Sequence, residues 1–207
     1  MITDYKTLTI GQYLDIIAVD KEEGLDEIER QVKVDSILSG ISEDELLHLP
    51  LHEYREVAKQ AQFLSTPPED LPDIKDEYVT GGFTLVPVKD YRQLETGQYI
   101  DFKGYAQNVT DNFVGILSVL LVPKGHRYNE GYDIYKVQQA IKDIPMPDGL
   151  AMVAFFLTSW TGLMEDSLNY SEREALRISD PQKREKTLKE IQTIRETLRQ
   201  SGDGLQR

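Results

Sequence analysis

The chain contains no cysteine, which excludes disulfides, thiolate nucleophiles and thiolate-ligated metals, and which fits a reducing compartment. Histidine is nearly as scarce, with three residues to serve as general bases or metal ligands. Only His48 and His52 have the i,i+4 spacing of a metal pair, and Pro50 between them marks a helix boundary that keeps the two rings off one helical face. His126 has no obvious partner in the sequence. No glycine run leads into Lys-Ser or Lys-Thr, no GxGxxG occurs, and no serine lies in a GxSxG context. An enzyme is therefore not expected, nor is a bound metal or cofactor. Long apolar runs are also missing. The longest, Phe113 to Val122, has ten residues before Pro123 stops it, well short of the roughly 20 that a membrane-spanning helix needs. The first six residues show no basic region leading into an apolar stretch, so no secretory signal is expected. Positive charge is in short supply as well: 23 basic against 36 acidic side chains leave a net charge of −13. An acidic surface repels phosphate backbones, so nucleic acid is a poor partner, and a membrane is not expected either.

What remains is an ordinary globular composition, 40% apolar and 29% charged over 207 residues, long enough for a sizeable core. The charge is uneven. Residues 1–170 carry 14 basic and 29 acidic side chains, whereas residues 171–207 carry nine and seven. Two segments echo each other: Leu8-Thr9-Ile10-Gly11-Gln12-Tyr13-Leu14-Asp15 and Leu94-Glu95-Thr96-Gly97-Gln98-Tyr99-Ile100-Asp101 share five of eight residues. Ile37-Leu38-Ser39 recurs as Ile116-Leu117-Ser118, Leu49-Pro50-Leu51 as Ile144-Pro145-Met146, and Ala61 to Ser65 as Ala154 to Thr158. Four echoes in one order point to an internal duplication with a long period.

The expected fold is mainly α. Two diverged copies of a three-helix unit, residues 1–65 and 94–170, are joined by an acidic linker and small β-hairpin over 66–93 and followed by a C-terminal helical arm over 171–207. In the first copy Thr9 with Gln12, and Ser42 with Glu45, form capping boxes; Gly40 suits a left-handed C-cap, and Pro50 suits a helix start. Tyr78-Val79-Thr80, Gly81-Gly82 and Phe83 to Val86 read as a hairpin, with Pro87 placing its strand at an edge. The second copy has a longer insertion, and its loop over 123–133 is rich in turn formers and tyrosine. Asp15 and Asp101 recur in the echo and read as capping or interhelical groups. A nearly all-apolar helix runs from about Leu150 to Trp160, suited to a core or to an interface, and carries Phe155, Phe156 and Trp160. In the arm Asp180 is an N-cap candidate, and Leu188, Ile191, Ile194 and Leu198 fall within one stripe. These seven side chains are the candidate partner-binding residues.

The pattern Leu8-Thr9-x-Gly11-Gln12-Tyr13, then Ser36 to Gly40 and Leu49-Pro50-Leu51, resembles tail assembly chaperones and related small virion-assembly proteins of tailed bacteriophages. Residues 78–101 and Ala154 to Trp160 look like the hairpin and final helix of that pattern, while the arm resembles nothing in it. The resemblance implies a helical protein in the host cytoplasm, without catalytic residues, that holds a helical tape-measure-like client until tail subunits polymerise. The alternatives are a permanent virion component (a baseplate, connector or tail subunit) and a bacterial regulator. Self-association stays open.

Overall fold

The computed structural model describes residues 2–66, 68 and 70–203, and the side chains of these apart from residues 163 and 197–203. The chain is mainly helical, with a small antiparallel sheet of three strands. It forms two compact units, Met1–Val153 and Ala154–Arg207. Among the described residues no helix is long and apolar enough to cross a membrane.

The first unit begins with four α-helices, α1 Ile10–Lys21, α2 Glu27–Ser39, α3 Glu43–His48 and α4 Leu51–Ala58, the last continued by a 3-10 helix over Lys59–Ser65. Each start has a local cause. The Thr9 hydroxyl accepts from the Gln12 amide while the Gln12 side chain accepts from the Thr9 N–H at 3.0 Å, and Asp26–Glu29 and Ser42–Glu45 repeat this reciprocal cap. Gly40 ends α2 in the left-handed region at φ +72°. Pro50 separates α3 from α4, so His48 and His52 lie on different helices, as the sequence implies.

The hairpin is present. Strands β1 Tyr78–Thr80 and β2 Phe83–Pro87 pair antiparallel, and Gly81 and Gly82 turn the chain with positive φ at both central residues. A third strand, β3 Leu121–Pro123, pairs with β2, so β2 is central and the edge position expected from Pro87 is corrected. The proline is accommodated by register. Val88 N–H donates to the Leu120 carbonyl and Lys124 N–H to that of Thr84, so Pro87 and Leu121 form a non-hydrogen-bonded pair. The Pro87 nitrogen points away from β3, on a side where β1 has already ended at Tyr78, opposite Leu85.

The apolar run from Phe113 is split between α6 Phe113–Leu120 and β3. Phe113 and Ile116 through Leu120 are buried and make α6 the centre of the unit, with α5 Thr96–Tyr105 and α7 Ile134–Ile141 packed on it. The Gln98 side chain, itself buried, accepts from the Glu95 N–H at 2.9 Å and donates to the Val119 carbonyl at 2.9 Å, so one residue both caps α5 and ties it to α6. α8 Met146–Leu176 starts within this unit, where Leu8 and Ile10 clasp it through Met146 N–H to Leu8 O (2.8 Å) and Ile10 N–H to Ile144 O (2.9 Å).

Both Gly-Gln-Tyr segments thus open helices with a glutamine at the third position. The element series between them differ, however. The first stretch has four α-helices and a 3-10 helix where a three-helix unit was expected. The second interposes β3, and Ala154 to Thr158 is α-helical where Ala61 to Ser65 is 3-10. The glutamine cap is a local solution that any helix start can use, so the echo at Gly11 and Gly97 has a sufficient cause in helix capping.

The second unit is a helical hairpin. The later part of α8 turns at residues 177–180 into α9 Pro181–Asp203, with the Asp180 carboxylate accepting from the Gln182 N–H at 2.9 Å. Leu168, Ala175 and Ile191 form its buried core, flanked by Ile178 and Leu188. Arg195 donates to Asn169 and Glu172, both at 3.0 Å. The boundary expected at Ser171 lies inside α8.

Candidate interaction surface

All seven candidate partner-binding residues belong to the second unit, and the structure divides them. Leu188 and Ile191 face inward, Ile191 within the hairpin core and Leu188 against it, so the α9 stripe is largely used by α8. The remaining stripe residue with a described side chain, Ile194, is half exposed on the flank, beside a shallow groove lined by Gln182, Lys186, Lys189 and Thr193. The side chain of Leu198 lies outside the described residues. On α8, Phe156 is fully buried, Trp160 is half-buried, and Phe155 is 41% exposed. Tyr170 and Leu176 are exposed on the same helix and were not among the candidates. The inward face of α8 was legible in the seven-residue spacing of Leu168 and Ala175, a repeat that places both on one side of a helix.

In the first unit the loop between β3 and α7 is built onto α5. Arg127 makes a forked pair with Glu95 at 3.2 and 3.0 Å, and the Tyr128 hydroxyl donates to Asp101 at 2.8 Å. Burial, and then the Asp101 carboxylate, push the Tyr128 phenol well above its usual range. His126 packs edge-on to Tyr132, whose hydroxyl accepts from the Asn129 N–H. Asp101 is therefore an anchor for the loop. The same helix leaves Ile100 exposed, and α7 leaves Tyr135 exposed.

Two carboxylates are almost fully buried in this unit. Asp148, in the first turn of α8, takes the Lys75 ammonium on one oxygen at 2.7 Å, and its other oxygen has no hydrogen-bond partner. Lys75 sits at the end of the expected linker, whose positions 67 and 69 lie outside the described residues, and its own N–H donates to the Tyr78 hydroxyl at 3.2 Å. Asp35, on α2, accepts from the Gln31 amide at 2.9 Å on one oxygen, and its other oxygen has no hydrogen-bond partner among the described residues. Among the described residues no three histidine, aspartate or glutamate side chains converge where a metal could be held. His48 instead meets the Asp44 carbonyl at 2.7 Å.

The arrangement offers exposed apolar side chains on helices and two buried carboxylates, of which Asp148 meets a lysine and Asp35 does not. The fold defines a mainly helical protein with a small antiparallel sheet. Compared with known families, curated proteins and solved structures, the chain matches none of them.

Proposed function

We propose that this chain is a non-enzymatic protein-binding factor of bacteriophage tail assembly, acting in the host cytoplasm, that holds a helical tape-measure-like client through the α8–α9 hairpin. The observation that carries the reading is the hairpin itself. Its internal core uses Leu168, Ala175, Ile191, Ile178 and Leu188, and Phe155, Tyr170, Leu176 and Ile194 stay exposed along the same two helices. Exposed apolar side chains on a helical pair suit an amphipathic helix laid alongside. The short motifs that resemble those of tail assembly chaperones support the same direction. Neither a cofactor nor nucleic acid has a place in it. Duplication of residues 8–65 and 94–160 belongs to this reading too, on the four echoed sequence segments alone, since the element order between the two helix starts does not support it.

The test is co-purification of the tagged chain from infected cells, followed by identification of what comes with it. A long helical virion protein should be recovered. Its recovery should fall at least several-fold for Phe155→Asp with Ile194→Asp, while the circular dichroism of the chain stays unchanged. Stoichiometric presence of the chain in purified particles would instead make it a permanent virion component. Recovery that is indifferent to both substitutions would remove the hairpin from the reading.

A further inference from the structure

α4 and the 3-10 helix that continues it, Leu51–Ser65, contribute no buried side chain to the first unit. Their inner side chains, Tyr54, Val57, Ala58, Ala61, Phe63 and Leu64, are all only half-buried. The surface they cover on α2 is polar at its middle. Asp35 is 1% exposed there, and its Oδ2 has no hydrogen-bond partner. The Tyr54 hydroxyl faces this carboxylate; burial, and then its polar contact with Asp35, push the phenol up to about 12. Gln60, in the 3-10 helix, holds a second buried oxygen without a partner. Beyond it, the Tyr5 hydroxyl donates to the Leu64 carbonyl at 3.3 Å and the Tyr5 ring meets Phe63 edge-on.

A segment fastened by partly buried apolar groups, and burying polar atoms that water would satisfy, gains little from staying docked. The helix before it is anchored differently, because Leu46 of α3 is 2% exposed, so motion of the segment can stop at Leu49 and Pro50. We propose that Leu51–Ser65 is a strap that detaches from α2 as one unit while the rest of the first unit stays folded, uncovering the Asp35 carboxylate. Detachment hydrates Asp35 Oδ2 and Gln60 Oε1 and leaves the α1–α2 and α5–α6–α7 packing in place. The proposal does not depend on the nature of the client.

Amide hydrogen exchange of the full chain, read by mass spectrometry, tests it. Peptides within 54–65 should exchange at least tenfold faster than those of α2 and α6, yet more slowly than an unstructured peptide. Tyr54→Phe, which removes only the hydroxyl, should speed the strap several-fold and leave α6 unchanged. Asp35→Asn, which removes the buried charge and keeps an amide in its place, should slow the strap. Exchange of the strap in step with α2 would overturn the proposal, as would exchange at the unstructured rate in the unsubstituted chain. Acceleration of α6 together with the strap in Tyr54→Phe, or no response of the strap to either substitution, would overturn it as well.

Discussion

Asp35 and Asp148 show what a buried carboxylate costs with and without a cation. Burial raises the Asp35 carboxyl above the ordinary aspartate range, and Gln31 and Tyr54 offset only part of that. The native state therefore holds this proton more tightly than the unfolded chain does. The contribution to stability is complete below the unfolded aspartate value and is lost as pH rises through the higher folded value. Asp35→Asn removes that loss, so the substituted chain should melt higher than the parent at pH 7, and the difference should shrink towards pH 4. Thermal melts of both chains across that range measure it, and a constant difference would show that Asp35 is charged in the fold at no cost. Asp148 has Lys75 instead. Removing one partner of a fully buried pair costs about 3–5 kcal/mol. Because the Lys75 side chain is 53% exposed, Lys75→Met should cost less, about 1–2 kcal/mol in urea denaturation. Adding Asp148→Asn should recover part of the loss, because no unpaired charge is then left behind. Additive losses in the double variant would mean that the two groups act separately.

Elements whose causes are local were legible in the sequence, and those set by distant partners were not. Capping boxes at Thr9 and Ser42 and the turn at Gly81-Gly82 each depend on a few adjacent residues. The turn also allows a graded test. A Cβ at Gly81 would sit 2.4 Å from the Ala140 Cβ, and φ there is +53°, whereas Gly82 has φ +79° with open space around it. Gly82→Ala should cost about 1–2 kcal/mol for the left-handed backbone alone. Gly81→Ala should cost clearly more, and equal losses would mean that the hairpin tip does not pack on α7 as closely as the structure has it. β3 was hidden because Leu121 and Val122 continue an apolar run already begun by α6, and periodicity cannot divide a run that is buried on all sides. The α9 stripe was read as one face, although α8 covers only part of it. Ile191→Ala should therefore cost about 2–4 kcal/mol within the hairpin, seen as faster amide exchange in α9, and Ile194→Ala should stay within about 0.5 kcal/mol. The split of the seven candidates could not be read from the stripe, because the choice between Ile191 and Ile194 is made by where the other helix lies.

At the scale of the whole molecule the dominant property is charge, a net of −13 whose excess lies in residues 1–170. Charge of one sign repels a second acidic body and attracts a basic one from a distance, whereas exposed apolar side chains such as those of the hairpin act only at contact. The two contributions separate by salt. The screening length falls from about 10 Å at 0.1 M to about 3 Å at 1 M ionic strength, which removes long-range attraction and leaves apolar burial intact or strengthened. If the chain holds a helical client as proposed, charge should govern how fast the client is found and the hairpin how long it is kept. In surface-plasmon measurements with the recovered client, the association rate should drop at least several-fold between 0.05 and 0.5 M sodium chloride, a range set by that screening argument. The dissociation rate should change by less than about twofold over the same range. Phe155→Asp with Ile194→Asp should do the reverse, raising dissociation and sparing most of the association rate. A complex that dissociates rapidly as salt rises would place the holding contacts on the acidic surface, and the hairpin would then be a folding element of the second unit alone.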